Sequence, residues 1–221
     1  MPGPRAFLAD LTSEERAVFE QLGRARHFQQ GEAVFHEGDD AGGVVAILSG
    51  RVKVSLAGLA GREVVLGFPG PGELVGELAA LTERPRSATV TAVEDVEALG
   101  VRGADFRRFV AEHPRIASLV FRHLADLVAE SDRQQVDLAT RDVTARIAAR
   151  LVELVADAGE PAGGGIRITL ALSQEELAAW TGASREAVAK ALHSLRKLGW
   201  VQTGRRELTV LDLDGLRRLA Q

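Results

Sequence analysis

Short apolar runs separated by glycine-rich turns occupy most of the chain between residues 28 and 101. The runs are rich in valine and alternate between apolar and polar residues, a pattern that is typical of antiparallel strands. Predicted strands cover residues 33–35, 44–48, 52–56, 63–66, 88–92 and 96–99. The pattern therefore predicts a β-sandwich or β-roll, preceded by a short helix whose cap is Thr12 or Ser13.

Helical periodicity replaces the strand pattern after residue 103. One helix is predicted over residues 104–112, and a second, much longer one follows His113 and Pro114 and ends near Thr140. A seam of mostly apolar positions follows the long helix: Ala117, Val120, Leu124, Leu127, Ser131, Gln134 and Leu138. Such a seam favours pairing with a second copy of the helix in a homodimer, and the alternative is packing on the chain's own β-domain.

The last third of the chain contains the pattern of a helix-turn-helix. Asp142 can cap a helix over residues 143–157, and the glycine- and proline-rich segment 159–165 is interpreted as a linker. Ser173 and Glu176 have the spacing of a capping box, which starts the first of two further helices. The turn falls at residues 181–183, and Ser184 caps the second helix.

The exposed face of that second helix suggests contact with DNA. Val188, Leu192 and Leu195 are predicted to face inward, so that the side chains needed for base readout, Arg185, Glu186 and Lys190, point outward. The alternative is a solvated face with an internal Glu186–Lys190 pair. A strand, a turn and a strand follow over residues 200–210, which predicts a wing. The predicted DNA contacts are Ser173, Gln174, Ser184, Arg185, Glu186, Lys190, Arg205 and Arg206.

Composition and charge agree with a two-domain protein. A length of 221 residues and a hydrophobic fraction of 46% suit two compact cores. The net charge is −4, but nine basic and six acidic residues lie from position 161 onward, so that the C-terminal part is net positive. Because there is no cysteine, no signal-peptide pattern and no long apolar window, we expect a cytoplasmic protein with neither disulfides nor iron–sulfur clusters.

A possible anion site lies in the predicted β-domain. Gly76 would let the backbone approach a ligand closely, and a short helix starting at Glu77 would direct free N–H groups at an anion. Arg86 and Ser87 can add donors, and Glu77 can accept a hydrogen bond from a sugar hydroxyl. A 3′,5′-cyclic nucleotide has both an anionic phosphate and a free 2′-hydroxyl. The alternative is a Glu77–Arg86 pair that only ties two strands together.

At this point the chain resembles the family of the cyclic AMP receptor protein and the fumarate-nitrate reductase regulator (CRP/FNR), over nearly its full length. The matching stretches are residues 76–79, 86–88, 142–146 and 182–186, together with Lys190. The resemblance implies a bacterial transcription regulator that is not an enzyme and needs no cofactor or metal. Its implied partners are a cyclic nucleotide, a second copy of the chain, a palindromic double-stranded DNA site and RNA polymerase, with no membrane.

The resemblance also implies the roles of individual residues. The sugar and phosphate would be bound by Gly76, Glu77, Leu78, Ala79, Arg86 and Ser87. Ser131 and Asp132 would meet the base across the dimer. Asp132 departs from the cyclic AMP pattern, which has a small hydroxyl residue there. A carboxylate suits the N1 and N2 donors of guanine at least as well as the adenine amino group, so cyclic AMP is the expected effector and cyclic GMP stays open.

The expected architecture is α+β, in three parts. A cyclic-nucleotide-binding β-roll (jelly roll) covers residues 1–112, a dimerisation helix covers 113–141, and a winged helix-turn-helix covers 142–221. The alternative function is a related regulator that binds DNA without nucleotide control or responds to another effector, cyclic GMP or haem. Haem is the weaker option because the five histidines are scattered along the chain.

Overall fold

The computed structural model describes residues 6–58, 61–204 and 206–220. The chain divides into two compact units, Pro4–Glu130 and Ser131–Gln221. In the part of the chain that the structure describes, no helix is long and apolar enough to cross a membrane.

The N-terminal unit is a two-sheet β-roll with helices on one side. Its elements are α1 (Phe7–Asp10), α2 (Ser13–Leu22), β1 (Gly23–Phe28), β2 (Ala33–Phe35), β3 (Gly43–Ser49), β4 (Val52–Ala57), β5 (Glu63–Gly67), β6 (Leu74–Val75), α3 (Glu77–Thr82), β7 (Thr89–Ala92), β8 (Val96–Arg102) and α4 (Gly103–Glu112). The antiparallel sheets have the strand orders β1-β8-β3-β6 and β2-β7-β4-β5. The predicted strands are confirmed, and β1 and β6 were missed.

Successive side chains of β3 point to opposite faces of its sheet, and this divides the core of the N-terminal unit into two clusters. Ile47 joins the apolar cluster between the two sheets, where it meets residues such as Val52 and Val90. Ala46, on the opposite face, joins the cluster that the helices cover, around Phe19 and Phe106. The period of two therefore gives one strand both an inter-sheet face and a helix-facing face.

Helix α5 (Pro114–Thr140) begins in that second cluster and continues far beyond it. Ile116, Leu119 and Val120 are buried in the core of the N-terminal unit. Phe121 and Val128, in contrast, are 74% and 62% exposed. The predicted seam is therefore wrong at Val120, which packs within its own unit, and its member Leu124 also packs against this cluster. The seam omitted the two most exposed large apolar side chains of the helix.

The C-terminal unit contains helices around a small sheet. Its elements after α5 are α6 (Val143–Ala158), β9 (Gly159–Ala162), β10 (Gly165–Ile168), α7 (Gln174–Thr181), α8 (Arg185–Lys197), β11 (Val201–Gly204), β12 (Glu207–Val210) and α9 (Leu213–Leu219). The antiparallel sheet has the order β11-β12-β10-β9. Ile147 of α6, Val188 and Leu195 of α8 and Leu216 of α9 are completely buried. Helix α9 was not predicted from the sequence.

The segment 159–165 is not a linker, so that interpretation was wrong. Its residues form the β9–β10 hairpin, in which Gly159 pairs with Ile168 and Ala162 pairs with Gly165. Gly163 and Gly164 form the two-residue turn with φ values of 47° and 93°. Because adjacent residues with positive φ form the tight hairpin turn that matches strand twist, glycines that suggested flexibility instead define a turn.

Candidate functional sites

The candidate anion site is built around the contact between Gly76 and Arg86. Gly76 precedes α3 and has a φ of 84°, in the left-handed region that favours glycine. Nη1 of Arg86 donates a hydrogen bond of 3.0 Å to the carbonyl oxygen of Gly76. A Cβ atom at position 76 would lie 2.3 Å from that same nitrogen. The positive φ therefore favours glycine here, and a Cβ atom would also displace the guanidinium of Arg86 from its present position.

The guanidinium of Arg86 is buried, with 7% of the residue exposed. It lies over the ring of Phe35, with its central carbon 4.1 Å from the ring centroid. The amide of Arg86 donates to the carbonyl of Asp39 at 2.8 Å, and its carbonyl accepts from the amide of Gly38 at 2.9 Å. Burial lowers the pKa of Arg86, opposed by the nearby charges of Asp39 and Glu77. Its Nε is buried without a hydrogen-bond partner, which is a cost that an incoming acceptor would relieve.

Glu77, the first residue of α3, is also buried, with 6% of the residue exposed. Burial raises the pKa of its carboxyl, while its own backbone amide and then the charge of Arg86 act in the opposite direction. Within the described chain Glu77 forms no ion pair with Arg86. The proposed strand-tying pair is therefore absent, and Arg86 bonds to the Gly76 carbonyl instead.

The other predicted ligand contacts occupy different environments. Leu78 is 44% exposed, Ala79 is buried, and Ser87 is exposed next to Arg86. Ser131 and Asp132 are exposed on α5 and belong to the second compact unit, so their contact with a base stays a prediction.

Sequence reasoning missed two supports of this site. Phe35 lies 51 positions before Arg86, and no spacing rule connects the two residues. Arg107 of α4 donates from Nη1 to the carbonyl of Ala80 at 2.8 Å, and its Nη2 pairs with Glu83 at 2.7 Å. Arg107 therefore satisfies the C-terminal end of α3 and fixes that helix against α4.

The predicted helix-turn-helix is confirmed, with both caps. The hydroxyl of Ser173 accepts from the amide of Glu176 at 3.1 Å, and the carboxylate of Glu176 accepts from the amide of Ser173 at 2.8 Å. The hydroxyl of Ser184 accepts from the amide of Ala187 at 3.2 Å, which starts α8. Gln174, the first residue of α7, is exposed.

Arg185, Glu186 and Lys190 are all exposed on the outer face of α8, while Val188, Leu192 and Leu195 are buried. The pKa of Glu186 is lowered by its own backbone N–H and then by the hydroxyl of Ser184. Among the described ion pairs none joins Glu186 to Lys190, so the internal pair offered as the alternative is absent.

The predicted wing is also confirmed. β11 and β12 pair antiparallel, and Gly204 lies opposite Glu207 at the end of the hairpin. Arg206 is exposed at the wing tip with a φ of 58°. Arg205, the other predicted phosphate contact, lies outside the described residues.

A bridge between the end of α5 and the helix-turn-helix was not foreseen. Nε of Arg146 donates to the carbonyl of Thr181 at 2.8 Å, and Nη1 donates to the carbonyl of Arg141 at 2.7 Å. Leu138 lies so close to Gly182 that a Cβ there would be 2.7 Å from its Cδ2 atom. The last turn of α5 and the turn of the helix-turn-helix are thus joined within one compact unit.

Two family profiles match this chain. A cyclic nucleotide-binding domain matches residues 25–113, which include the Gly76–Arg86 site, and a Crp-like helix-turn-helix domain matches residues 145–219. Fold and sites therefore define the class: a DNA-binding transcription regulator with a cyclic nucleotide-binding domain.

Known proteins of this class are similar over most of the chain. A CRP-like cAMP-activated global transcriptional regulator of Mycobacterium tuberculosis is 34% identical over 194 residues, which cover 88% of this chain and 87% of that protein. The cyclic AMP receptor protein of Thermus thermophilus is 32% identical over 210 residues, covering 95% and 94%. Among solved structures, the c-di-GMP responsive global regulator CLP of Xanthomonas campestris has a TM-score of 0.79 at 25% identity, covering 91% and 100%. The protein belongs to the CRP/FNR family of transcription regulators, a family of regulators and not of enzymes.

The raised pKa of Glu77 predicts a specific pH dependence of stability. Because the folded state holds this proton more tightly than the unfolded state, the wild-type chain loses stability as pH rises through the folded-state pKa. Glu77→Gln removes the buried charge, so its melting temperature should exceed that of wild type near neutral pH. The difference should shrink as pH falls.

Thermal unfolding without ligand, followed from about pH 4.5 to 7.5, measures this difference. Glu97→Gln is the matched control, since Glu97 is exposed on β8. The assignment of a raised pKa to Glu77 would be contradicted if the melting-temperature difference between Glu77→Gln and wild type did not change with pH. It would also be contradicted if that difference equalled the one measured for Glu97→Gln.

Proposed function

We propose that this protein is a homodimeric transcription regulator whose affinity for DNA is set by a cyclic nucleotide, with cyclic AMP as the effector. The observation that supports this most directly is the buried guanidinium of Arg86 with an unpartnered Nε, held beside the start of α3. The names of the Mycobacterium and Thermus relatives favour cyclic AMP. The Xanthomonas protein is described as responsive to c-di-GMP, so relatives respond to more than one nucleotide.

In the proposed complex the phosphate lies against Arg86 and the first amides of α3. The helix start contributes N–H groups that lack acceptors within the helix, and Gly76 allows close approach of the backbone. Ser87 adds a hydroxyl or an amide, and Glu77 accepts from the ribose 2′-hydroxyl. The backbones of Leu78 and Ala79 complete the proposed contacts.

The proposed base contacts are Ser131 and Asp132 of the second copy. A carboxylate at position 132 accepts from the adenine amino group and also matches the paired N1 and N2 donors of guanine. Cyclic GMP is therefore the ligand that must be tested against cyclic AMP.

The proposed dimer forms along α5. Beyond the buried residues near its start, the helix exposes Phe121, Leu127, Val128, Val136 and Leu138. Exposed apolar side chains repeated over several turns of one helix are what a paired helix covers. Two copies related by a two-fold axis would place two α8 helices on half-sites about one turn of DNA apart, so the proposed target is palindromic.

The proposed mechanism is a population shift. Ligand bound beside Ser131 and Asp132 favours one packing of the paired helices. A shift of the C-terminal end of α5 then moves the helix-turn-helix with it. The two are coupled by the hydrogen bonds of Arg146 and by the contact of Leu138 with Gly182. The proposed DNA contacts are those predicted from the sequence. Arg185, Glu186 and Lys190 contact base edges. The wing contacts phosphates, together with Ser173, Gln174 and Ser184.

The remaining assignments extend this proposal. We infer that RNA polymerase is a partner, that the protein acts in the cytoplasm, and that residues 1–112, 113–141 and 142–221 are its functional divisions. Haem has weaker support, because the five histidines are scattered along the chain.

Replacing Arg86 tests the phosphate contact. Arg86→Gln keeps polarity but removes the charge, and the affinity for cyclic AMP should fall at least about tenfold because a charge-assisted contact is lost. Isothermal titration with cyclic AMP and cyclic GMP measures it, and Arg84→Gln, an exposed neighbour, is the control. An affinity within about twofold of wild type would refute the assignment.

A charge on the exposed face of α5 tests the dimer. Phe121→Glu should convert the protein into a monomer at micromolar concentration, because a carboxylate would be buried at the interface. Sedimentation velocity measures the mass, with Val64→Glu on the β5 edge as the control. A Phe121→Glu protein that still sediments as a dimer would place the interface elsewhere.

Substitutions on α8 and the wing separate base contacts from phosphate contacts. With duplexes selected from a random pool, Arg185→Ala should cost about 1–3 kcal/mol and relax the preference at one base pair. Arg206→Ala should weaken the binding of all DNA sequences to the same extent. It should also reduce the slope of log affinity against log salt concentration by about one. Fluorescence anisotropy at several salt concentrations measures both effects. If Arg185→Ala weakens every sequence equally, Arg185 is not a base contact.

A further inference from the structure

A cavity of about 390 Å³ opens between the helix-turn-helix and the wing of the C-terminal unit. Its floor is apolar and is formed by side chains of α6, β10, α7, α8 and β12: Leu151, Leu154, Ile168, Leu177, Leu192 and Leu208. The cavity is partly open to solvent, and its volume lies in the range of sites for small organic ligands.

The rim of this cavity, which we call the wing cleft, is charged. Arg185 at the start of α8 and Arg206 at the wing tip both line it, both are exposed, and neither has an ion-pair partner among the residues that the structure describes. Glu175 and Glu207 line the same cavity. A base edge of bound DNA can satisfy Arg185 and a phosphate can satisfy Arg206, but the polar DNA backbone offers nothing to the leucines below them.

We propose that the wing cleft binds a small organic monoanion with an apolar body, of the class of medium-chain carboxylates. The carboxylate would meet Arg185 and Arg206, and the chain would cover the apolar floor. The two glutamates on the rim favour one negative charge over the two of a phosphate monoester, because each further charge adds repulsion. This site is separate from the nucleotide site at Gly76 and Arg86, which belongs to the other compact unit.

The consequence for regulation rests on the proposed function, because the same two arginines are proposed DNA contacts. A carboxylate held by Arg185 and Arg206 removes both from DNA, so the ligand and DNA compete. The wing cleft would therefore give the regulator a second, inhibitory input that acts directly on the DNA-binding unit.

Isothermal titration of the full-length protein with decanoate, below its micelle-forming concentration, tests the site. Butanoate has the same head group without the long body, and decyltrimethylammonium has the body with the opposite charge. We expect saturable binding of decanoate and at least about tenfold weaker binding of the other two. Absence of binding by decanoate, or equal binding of all three probes, would overturn the proposal.

Variants locate the bound molecule. Leu172 lines the cavity from a partly exposed position, so Leu172→Trp should fill its mouth and reduce decanoate affinity at least about tenfold, with an unchanged melting temperature. Leu198→Trp, at an exposed leucine outside the cavity, should bind decanoate as wild type does. Arg206→Gln on the exposed wing tip should also weaken binding, and it is informative even if Leu172→Trp does not fold. If Arg206→Gln and a folded Leu172→Trp both bind decanoate with wild-type affinity, decanoate binds outside the wing cleft.

A competition experiment distinguishes this proposal from the proposed function. Decanoate should weaken binding of the wild-type protein to a labelled mixed-sequence duplex at low salt, and should have no such effect on Leu172→Trp, whose DNA affinity without decanoate should equal that of wild type. DNA binding that is insensitive to bound decanoate overturns the inhibitory role. If cyclic nucleotides fail to bind while decanoate competes with DNA, the proposed effector is wrong and the wing cleft stands.

Discussion

The N-terminal unit is organised around one buried positive charge. Taking a guanidinium out of water costs several kcal/mol unless hydrogen bonds and nearby negative groups offset it. Arg86 receives hydrogen-bond and ring contacts from the Gly76 carbonyl and from Phe35. The nearby charges of Asp39 and Glu77 also oppose the cost of burial, but the Nε of Arg86 has no partner. The roll fixes the backbone of Arg86 on both sides, through Gly38 and Asp39, and so keeps the side chain where an anion can complete its hydrogen bonds.

Local chemistry explains which parts of the structure were predictable from sequence. Ser173, Glu176 and Ser184 cap helices through contacts three residues away, so spacing alone identifies them. The hairpin at 159–168 was misinterpreted because its glycines fit a linker as well as a turn. Strand β1 was missed because it is mostly polar, as an edge strand with exposed side chains can be.

The candidate sites show the same division between local and distant contacts. Gly76, Glu77 and Arg86 were found because a left-handed glycine, a helix start and a nearby arginine lie close together in the chain. Phe35 and Arg107 were not found, because their contacts with Arg86 and Ala80 join segments that only the fold brings together. Likewise Arg146 belongs to a matched stretch, but its two carbonyl acceptors could be assigned only from the structure.

Helix α5 shows why periodicity alone could not assign its surface. Residues advance by about 100° per position, so Val120 and Phe121 face directions more than a quarter of a turn apart. Ile116, Leu119 and Val120 cluster on the face that the N-terminal unit buries, whereas Phe121 and Val128 lie more than a third of a turn away from that face. The apolar surface of α5 is thus wide enough to contact both its own N-terminal unit and a second partner. The heptad pattern could not separate these two faces and assigned them to one seam. A face that its own unit leaves uncovered is available to a second partner, and this uncovered stripe is the physical basis for the proposed dimer.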